Sequence, residues 1–314
     1  MADNHGSRAG AATTQQVKNS WHRYFVYASL VFVGVALYRF DYLRVPRVDS
    51  YAALALTFPL LLAGFACLVK SWNVLLAKSD CPVRFGEGLA ALGLSILGNY
   101  LPGKVWLIMG RAAYVAERRG YPLAKVSVLS LHAQLLSLWA GLLLGGVGAL
   151  LVGGARLWGP LILLLWLALT LTIFSRGVHA LVARAIGRLL GRHVSIPLLS
   201  FGSTSHAIVW ALLAWMGWSL AFYLLLMSLG LAGISPRDGL AFPLAASLGV
   251  LAIFAPGCLG AREGVLVAYL VLAGQAVADA TTVAVAARLW FLVGELALFA
   301  IGWIADASIK AAGK

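Results

Sequence analysis

Charged residues are scarce in this chain, and acidic ones are scarcer still. Only 11% of its 314 residues are charged and 11 are Asp or Glu, whereas a soluble domain carries about 25% charged residues. So few charges cannot cover a surface that faces water, which excludes a soluble globular protein. Hydrophobic residues make up 61%, and several apolar runs approach the roughly 20 residues with which a helix crosses hydrocarbon. The sequence therefore predicts an all-α polytopic membrane protein.

Motifs that support catalysis or cofactor binding are also missing. The chain has no P-loop, no dinucleotide-binding fingerprint, no zinc-protease histidine pair and no Gly-x-Ser-x-Gly elbow. Its three cysteines lack metal-ligand spacing and are typical of small buried hydrophobes. We therefore expect no enzymatic activity, no cofactor and no metal ion. The net charge of +13 does not indicate nucleic acid, because cytoplasmic loops of membrane proteins collect Lys and Arg.

Apolar runs of helical composition are abundant in the chain. Six full membrane spans are predicted at about 23–40, 51–69, 126–152, 157–174, 206–230 and 278–304. The first follows a polar tail without a cleavage site, which indicates an uncleaved anchor. Two further apolar stretches, about 85–119 (the first broken stretch) and 239–273 (the second broken stretch), are each divided by Pro-Gly.

The two broken stretches resemble each other. LAALGLSILGNYLPG ends at Pro102 and Gly103, and LAASLGVLAIFAPG ends at Pro256 and Gly257. Each Pro-Gly leaves apolar pieces that are shorter than the roughly 20 residues of a span, which favours re-entrant hairpins. Irregular backbone at membrane depth must pack within protein or line a wet cavity.

The distribution of basic residues predicts the orientation. With a cytoplasmic N-terminus, fifteen Lys and Arg fall on the cytoplasmic side, five on the opposite side and four within apolar stretches. Each half then holds two spans, a hairpin and a third span in reversed order, which predicts an inverted repeat. The alternative is coincidence, because Leu-, Ala- and Gly-rich helices resemble one another by composition. We predict cytoplasmic tails at 1–20 and 306–314 and one transmembrane domain at 21–305, with halves at about 21–153 and 157–305.

Ionisable residues inside the apolar stretches are the strongest candidates for a site. They are Lys104, Arg111, Arg262, Glu263, Arg288 and Glu295. Such groups are costly in a bilayer and therefore face partners or water. Four cations oppose two carboxylates, so internal pairing leaves two cations for an external anion, and we predict a phosphate-bearing ligand. The alternative is that the basic side chains extend to the membrane interface from short helices.

Spacing relates these charges to one another and to the Pro-Gly breaks. Lys104 and Arg111 are seven residues apart, as are Arg288 and Glu295, which predicts one shared helix face for each pair. A helix that begins at a break aims unpaired amides and its positive dipole end into the membrane, where they favour an anion. Asn99, just before the first break, favours capping of the preceding helix over ligand contact.

Three stretches resemble one known family: GNYLPGKVWLIMGRAAYVAERRG at 98–120, FAPGCLGAREGVLVAYL at 254–270 and RLWFLVGEL at 288–296. They are similar to signatures of the transmembrane region of bacterial lysylphosphatidylglycerol synthases, which also occurs as free-standing flippase-like proteins. The resemblance covers about 20–305 and implies movement of an anionic or phosphate-linked lipid between leaflets. Family motifs match at Asn99, Pro102, Gly103, Lys104, Arg111, Pro256, Gly257, Gly260, Arg262, Glu263 and Arg288.

The chain also departs from the family pattern. Cys258 stands where a second glycine is usual, which puts the substrate geometry of the second break in doubt. No aminoacyl-transfer domain follows the membrane part, so the resemblance implies no synthase activity.

These observations predict a lipid translocase in the bacterial cytoplasmic membrane. Two opposed hairpins would form a cationic cavity near the midplane, where Lys104, Arg111 and Arg262 hold the head-group phosphate. Glu263 and Glu295 are expected to pair with Arg262 and Arg288 and so to hold the cavity between turnovers.

A second hypothesis is a non-transporting membrane scaffold. Such a protein would bind lipid and recruit a glycosyltransferase or a lipid-modifying enzyme. A stripe of arginines at multiples of four within 176–192 would then be the contact surface. An ordinary cytoplasmic loop, or a surface helix on anionic lipid, explains the same stripe equally well.

Overall fold

The computed structural model describes residues 47–100, 105–153, 159–175, 177, 201–251 and 260–312. Across these ranges the protein forms nine α-helices and two short 3₁₀ turns, without a β-strand. The helices are α1 Tyr51–Ala77, α2 Phe85–Ser95, α3 Trp106–Arg119, α4 Leu123–Leu151, α5 Gly159–Phe174, α6 Phe201–Ser228, α7 Ala241–Leu251, α8 Ala261–Leu272 and α9 Val277–Ala312. The 3₁₀ turns are Ile96–Tyr100, after α2, and Pro236–Leu240, before α7. The all-α class is therefore confirmed.

Among the residues that the structure describes, four helices are long and apolar enough to cross a membrane. They are α1, α4, α9 and the segment Thr204–Ser228 of α6. These four coincide with predicted spans. The span predicted at 157–174 corresponds to α5, which has only 16 residues, and the span predicted at 23–40 lies outside the described residues.

Helix α1 packs along α6 through a glycine. A Cβ atom at Gly64 would lie 2.1 Å from Nε1 of Trp218, so only glycine leaves room for the indole ring. The same Nε1 donates a hydrogen bond of 2.9 Å to the Leu61 carbonyl. The indole therefore crosses α1 with its polar atom satisfied, which fixes the two helices against each other.

The short helices pack reciprocally. Helix α2, which precedes the first break, packs on α9, and α7, which precedes the second break, packs on α4. A Cβ atom at Gly93 of α2 would lie 2.8 Å from Cα of Gly302 in α9. A Cβ atom at Gly145 of α4 would lie 2.5 Å from Cα of Leu244 in α7. Each short helix therefore packs against a long helix that is distant along the chain, backbone close to backbone.

Aromatic side chains fill the junction of α1, α6, α7 and α9. Their ring centroids lie between 5.0 and 6.4 Å apart. The cluster comprises Phe65, Trp215, Trp218, Phe222, Phe242, Trp290 and Phe291. Two further indoles are satisfied by hydrogen bonds, from Trp215 to the Ser137 carbonyl and from Trp290 to the Thr57 hydroxyl. These seven side chains form one packed cluster beside the second broken stretch, which we call the aromatic floor.

Charged pairs join the helix ends at one end of the bundle. Arg119 in the last turn of α3 donates through Nη2 to Oε2 of Glu87 in the first turn of α2, at 2.7 Å. Arg118 and Tyr114 of α3 both donate to Asp306 near the end of α9, at 3.2 and 2.7 Å. Helix α3 is thereby tied to α2 and to α9.

The Glu87–Arg119 pair makes stability depend on pH. Burial raises the pKa of Glu87, but hydrogen bonds from Arg119 and the Arg84 amide hold it below the ordinary value of 4.5. Because the folded pKa is the lower one, the stabilisation is complete above the unfolded pKa and is lost as pH falls through the folded pKa. We expect Glu87→Gln to cost about 1 kcal/mol at neutral pH, because Arg119 is partly exposed.

Thermal unfolding in detergent at several pH values checks this prediction. The difference between wild type and Glu87→Gln should shrink progressively as the pH falls below the ordinary glutamate pKa of 4.5. Glu117→Gln, at an exposed position on α3, is the matched control. A difference that does not change with pH would contradict the role of the Glu87 charge.

Candidate functional site

The predicted site residues divide into two groups. Five of them lie outside the described residues, namely Pro102, Gly103, Lys104, Pro256 and Gly257. The structure describes the other seven, which are Asn99, Arg111, Gly260, Arg262, Glu263, Arg288 and Glu295.

Residues from both broken stretches meet in one buried cluster, which we call the central cluster: Asn99, Tyr100, Arg262, Arg288 and Glu295. The Tyr100 hydroxyl donates to Oε2 of Glu295, and Asn99 Nδ2 donates to Oε1 at 3.4 Å. The Arg288 guanidinium carbon lies 5.0 Å from the centre of the Tyr100 ring. The charges of Arg288 and Arg262 both act on Glu295. Residues just before the first break thus contact α9, and the charge of Arg262, just after the second break, acts on the same carboxylate.

Arg262 rests on the aromatic floor. Its guanidinium carbon lies 4.8 Å from the centre of the Phe242 ring and 4.9 Å from that of Phe291. Only 8% of the residue is exposed. Aromatic faces attract a cation by about 0.5–2 kcal/mol without cancelling its charge. The floor therefore holds a buried positive charge in a fixed place.

A glycine turn places Arg262 at the start of α8. Gly260 has φ 83°, a conformation that strains residues with a Cβ atom. Its amide donates a hydrogen bond of 2.8 Å to Oε2 of Glu263, the third residue of the helix. This is the reciprocal half of a capping box, in which a glutamate closes the first turn of its own helix.

Arg288 and Glu295 lie on one face of α9. They are 6% and 3% exposed, and both contact Tyr100. The two residues are seven positions apart and share one helix face, as the sequence predicted.

Comparison with known proteins identifies the family. The model of the lysylphosphatidylglycerol synthase TM region matches residues 24–298. The chain belongs to this family. No curated protein and no solved structure matches it. The match contains both broken stretches and the whole central cluster, which is consequently part of the lysylphosphatidylglycerol synthase TM region itself.

The polar contacts of the described residues differ from the expected ones in two places. The predicted pairing of Glu263 and Glu295 with Arg262 and Arg288 stays a prediction, because the charges of both arginines act on Glu295 while the hydrogen bonds described for the two glutamates go to other groups. Glu263 instead closes its own helix turn at Gly260, and Glu295 accepts from Tyr100 and Asn99. Asn99 does not cap α2, because its side chain reaches Glu295 in α9.

Arg111 occupies a different place from the central cluster. Its Nη2 donates to the Ser130 carbonyl of α4, and its guanidinium carbon lies 5.0 Å from the centre of the Trp72 ring in α1. The prediction that Arg111 and Arg262 hold one phosphate together gains no support from these contacts. Arg111 is nevertheless only 5% exposed, so it is a buried cation in its own surroundings.

Sequence reasoning missed Tyr100, Phe242 and Phe291. Tyr100 offered a signal, because a hydroxyl two residues before a Pro-Gly in an apolar stretch has few partners other than a charged group. The two phenylalanines offered none, because aromatic residues are common in apolar helices.

A largely apolar groove of about 500 Å³ lies between α8 and α9. Its lining comprises Glu263, Gly264, Val267, Ala268, Val271, Thr281, Ala284 and Val285. Glu263, at one end, directly follows Arg262 of the central cluster. The groove therefore begins at the residue that follows Arg262 and continues along two apolar helices.

Proposed function

We propose that this protein moves the head group of an anionic or phosphate-linked lipid from one leaflet to the other. The central cluster would bind the phosphate. The observation that carries the proposal is that the Glu295 carboxylate accepts a hydrogen bond from Tyr100, whose ring Arg288 contacts, while the charges of Arg288 and Arg262 both act on it. Buried ionisable groups in membrane segments mark substrate pathways by default.

The formal charges favour an anion. Two guanidinium groups share the cluster with one carboxylate, and Lys104 follows Tyr100 by four residues along the chain. Burying an excess of positive charge is costly in a medium of low dielectric constant. A lipid phosphate would lower that cost, whereas a cationic head group would raise it.

We further propose that the protein is an inverted repeat of six spans and two re-entrant hairpins. The helices of the broken stretches have 11, 14, 11 and 12 residues. Helices of that length reach about 16–21 Å, too short for a hydrocarbon core of about 30 Å. The reciprocal packing of α2 on α9 and of α7 on α4 supports two related halves.

The groove between α8 and α9 provides a route for the apolar part of the lipid. A head group at Arg262 would leave its acyl or prenyl chain beside Val267 and Val271. Val271 is exposed, so the chain could remain in contact with the surrounding bilayer. We propose that transport occurs in the bacterial cytoplasmic membrane, with both termini in the cytoplasm and without an enzymatic step.

Transport in proteoliposomes tests the proposal. Fluorescent phosphatidylglycerol and phosphatidylcholine report head-group translocation through access of a membrane-impermeant quencher. We expect Lys104→Ala and Arg262→Ala each to slow phosphatidylglycerol translocation roughly tenfold or more, the typical effect of removing a charged hydrogen-bond donor. Lys78→Ala, at an exposed position after α1, is the matched control and should leave the rate unchanged.

Equal rates for wild type and the Lys104→Ala/Arg262→Ala double variant would reject the site. Thermal unfolding of each variant shows whether a lost rate reflects a lost fold. If folded wild type does not transport but co-purifies stoichiometrically with a lipid-modifying enzyme or a glycosyltransferase, the scaffold function replaces the translocase.

A further inference from the structure

Arg111 is a buried cation that lies outside the central cluster. Only 5% of it is exposed, and no carboxylate contacts it in the part of the chain that the structure describes. Its described contacts are the Ser130 carbonyl, which accepts from Nη2, and the face of Trp72. Neither contact neutralises its charge, and a buried charge without compensation is strongly unfavourable.

Arg111 and two residues that it contacts carry hydrogen-bond donors without a described partner. Within the described residues, Nε of Arg111, Nε1 of Trp72 and the hydroxyl of Ser130 are all buried and have no hydrogen-bond partner. Trp72 is 1% exposed and Ser130 is 0% exposed. Unsatisfied buried polar groups are rare in native proteins, and here three belong to Arg111 and to two residues that it contacts.

The chemistry of the three groups selects the ligand. Arginine and indole nitrogens can only donate hydrogen bonds, and the hydroxyl can donate as well. The occupant must therefore accept several hydrogen bonds, which excludes a metal ion or an amine. A water molecule accepts hydrogen bonds but leaves the charge of Arg111 uncompensated. An oxyanion satisfies the donors and the charge together.

The position of the three residues separates them from the central cluster. Ser130 lies seven residues into α4, about 10 Å from its start, and Trp72 lies five residues before the end of α1. Both ends belong to the face of the bundle where Arg118 and Arg119 close α3. Glu295 of the central cluster, in contrast, lies in the middle of α9.

We propose that Arg111, Trp72 and Ser130 form a second anion-binding site that takes one phosphate-class oxyanion near this face of the membrane. The site is formed by the packing of α1, α3 and α4, and it does not depend on transport activity. Its oxyanion comes either from a lipid head group or from free phosphate, and both have the same recognition chemistry.

Phosphate titration of the full chain tests the site. The purified protein in a maltoside detergent is titrated with inorganic phosphate at constant ionic strength, and the midpoint of thermal unfolding is followed. Arg262→Gln provides the background, because it weakens any binding at the central cluster. We expect phosphate to raise the midpoint, and the apparent affinity to fall about tenfold or more when Arg111→Gln is added.

Two milder variants keep the test decisive if Arg111→Gln does not fold. Trp72→Phe keeps the aromatic face and removes the N–H group, and Ser130→Ala removes the hydroxyl. Each should weaken phosphate binding about fivefold in the wild-type chain. Ser219→Ala is the control, because that buried hydroxyl already donates to the Trp215 carbonyl at 2.8 Å. Equal phosphate affinity in wild type, Trp72→Phe and Ser130→Ala would overturn the proposal.

Nanodiscs distinguish the two sources of the oxyanion. If the lipid head group is the ligand, phosphatidylglycerol nanodiscs should stabilise the wild type more than Ser130→Ala, and free phosphate should add nothing. If free phosphate is the ligand, it should stabilise the protein equally in phosphatidylglycerol and phosphatidylcholine nanodiscs. Either result supports the site, and neither depends on whether the central cluster transports lipid.

Discussion

Gly93→Ala will destabilise the protein strongly, although alanine usually strengthens a helix by about 0.5–1 kcal/mol relative to glycine. A Cβ atom at this position would lie 2.6 Å from the Leu298 carbonyl oxygen and 2.8 Å from Cα of Gly302. Both are backbone atoms that cannot rotate away, so α2 must move off α9. Overpacking of this kind costs about 1–3 kcal/mol, and we expect a loss at the upper end of that range.

Gly86→Ala provides a control in the same helix. No heavy atom lies within 4 Å of a Cβ atom at Gly86, so this variant should be neutral or slightly stabilised. The midpoint of thermal unfolding and the monodispersity in detergent measure both effects. Equal midpoints of thermal unfolding for Gly93→Ala and Gly86→Ala would contradict the close contact between α2 and α9.

The other half of the protein offers the same experiment. A Cβ atom at Gly145 would lie 2.5 Å from the backbone nitrogen of Leu244 in α7. Gly145→Ala should therefore destabilise the protein about as much as Gly93→Ala does. Comparable losses at both positions support the reciprocal packing on which the proposed inverted repeat depends.

The long helices could be predicted from sequence because hydrocarbon thickness sets their length. The contacts between them could not. The chain has 34 glycines, and nothing in the pattern shows that Gly93 and Gly145 are among those that meet backbone. Close approach is a property of two surfaces, and the two partners lie far apart along the chain.

The charged members of the site could also be predicted, because the cost of burying a charge in a bilayer selects them without reference to structure. Their partners could not. Asn99 and Glu295 are 196 residues apart, and only the packing of α2 on α9 brings them together. Glu263 could pair with an arginine or close its own helix turn, and the sequence is compatible with both. The left-handed turn at Gly260 decides between them.

Glu295→Gln will destabilise the protein in a way that depends on the lipid. Glutamine keeps the size of the side chain and can still accept a hydrogen bond from Tyr100, so the variant removes little except the negative charge. Arg288 and Arg262 then share a buried site without the carboxylate on which both act. Breaking a buried charge arrangement of this kind costs about 3–5 kcal/mol. We expect that loss in maltoside micelles, measured by thermal unfolding.

Phosphatidylglycerol should restore much of the lost stability. If the central cluster binds a lipid phosphate, a net negative head group replaces the charge that Glu295→Gln removes, and Glu295→Gln should gain more from phosphatidylglycerol than wild type does. Phosphatidylcholine, which has no net charge, should restore less. Asp279→Asn, at an exposed position in the first turn of the same helix, should change the stability by less than about 0.5 kcal/mol in every lipid. An equal loss for Glu295→Gln with and without phosphatidylglycerol would show that no lipid phosphate reaches the buried arginines, because a bound anion and the Glu295 carboxylate compensate the same two charges.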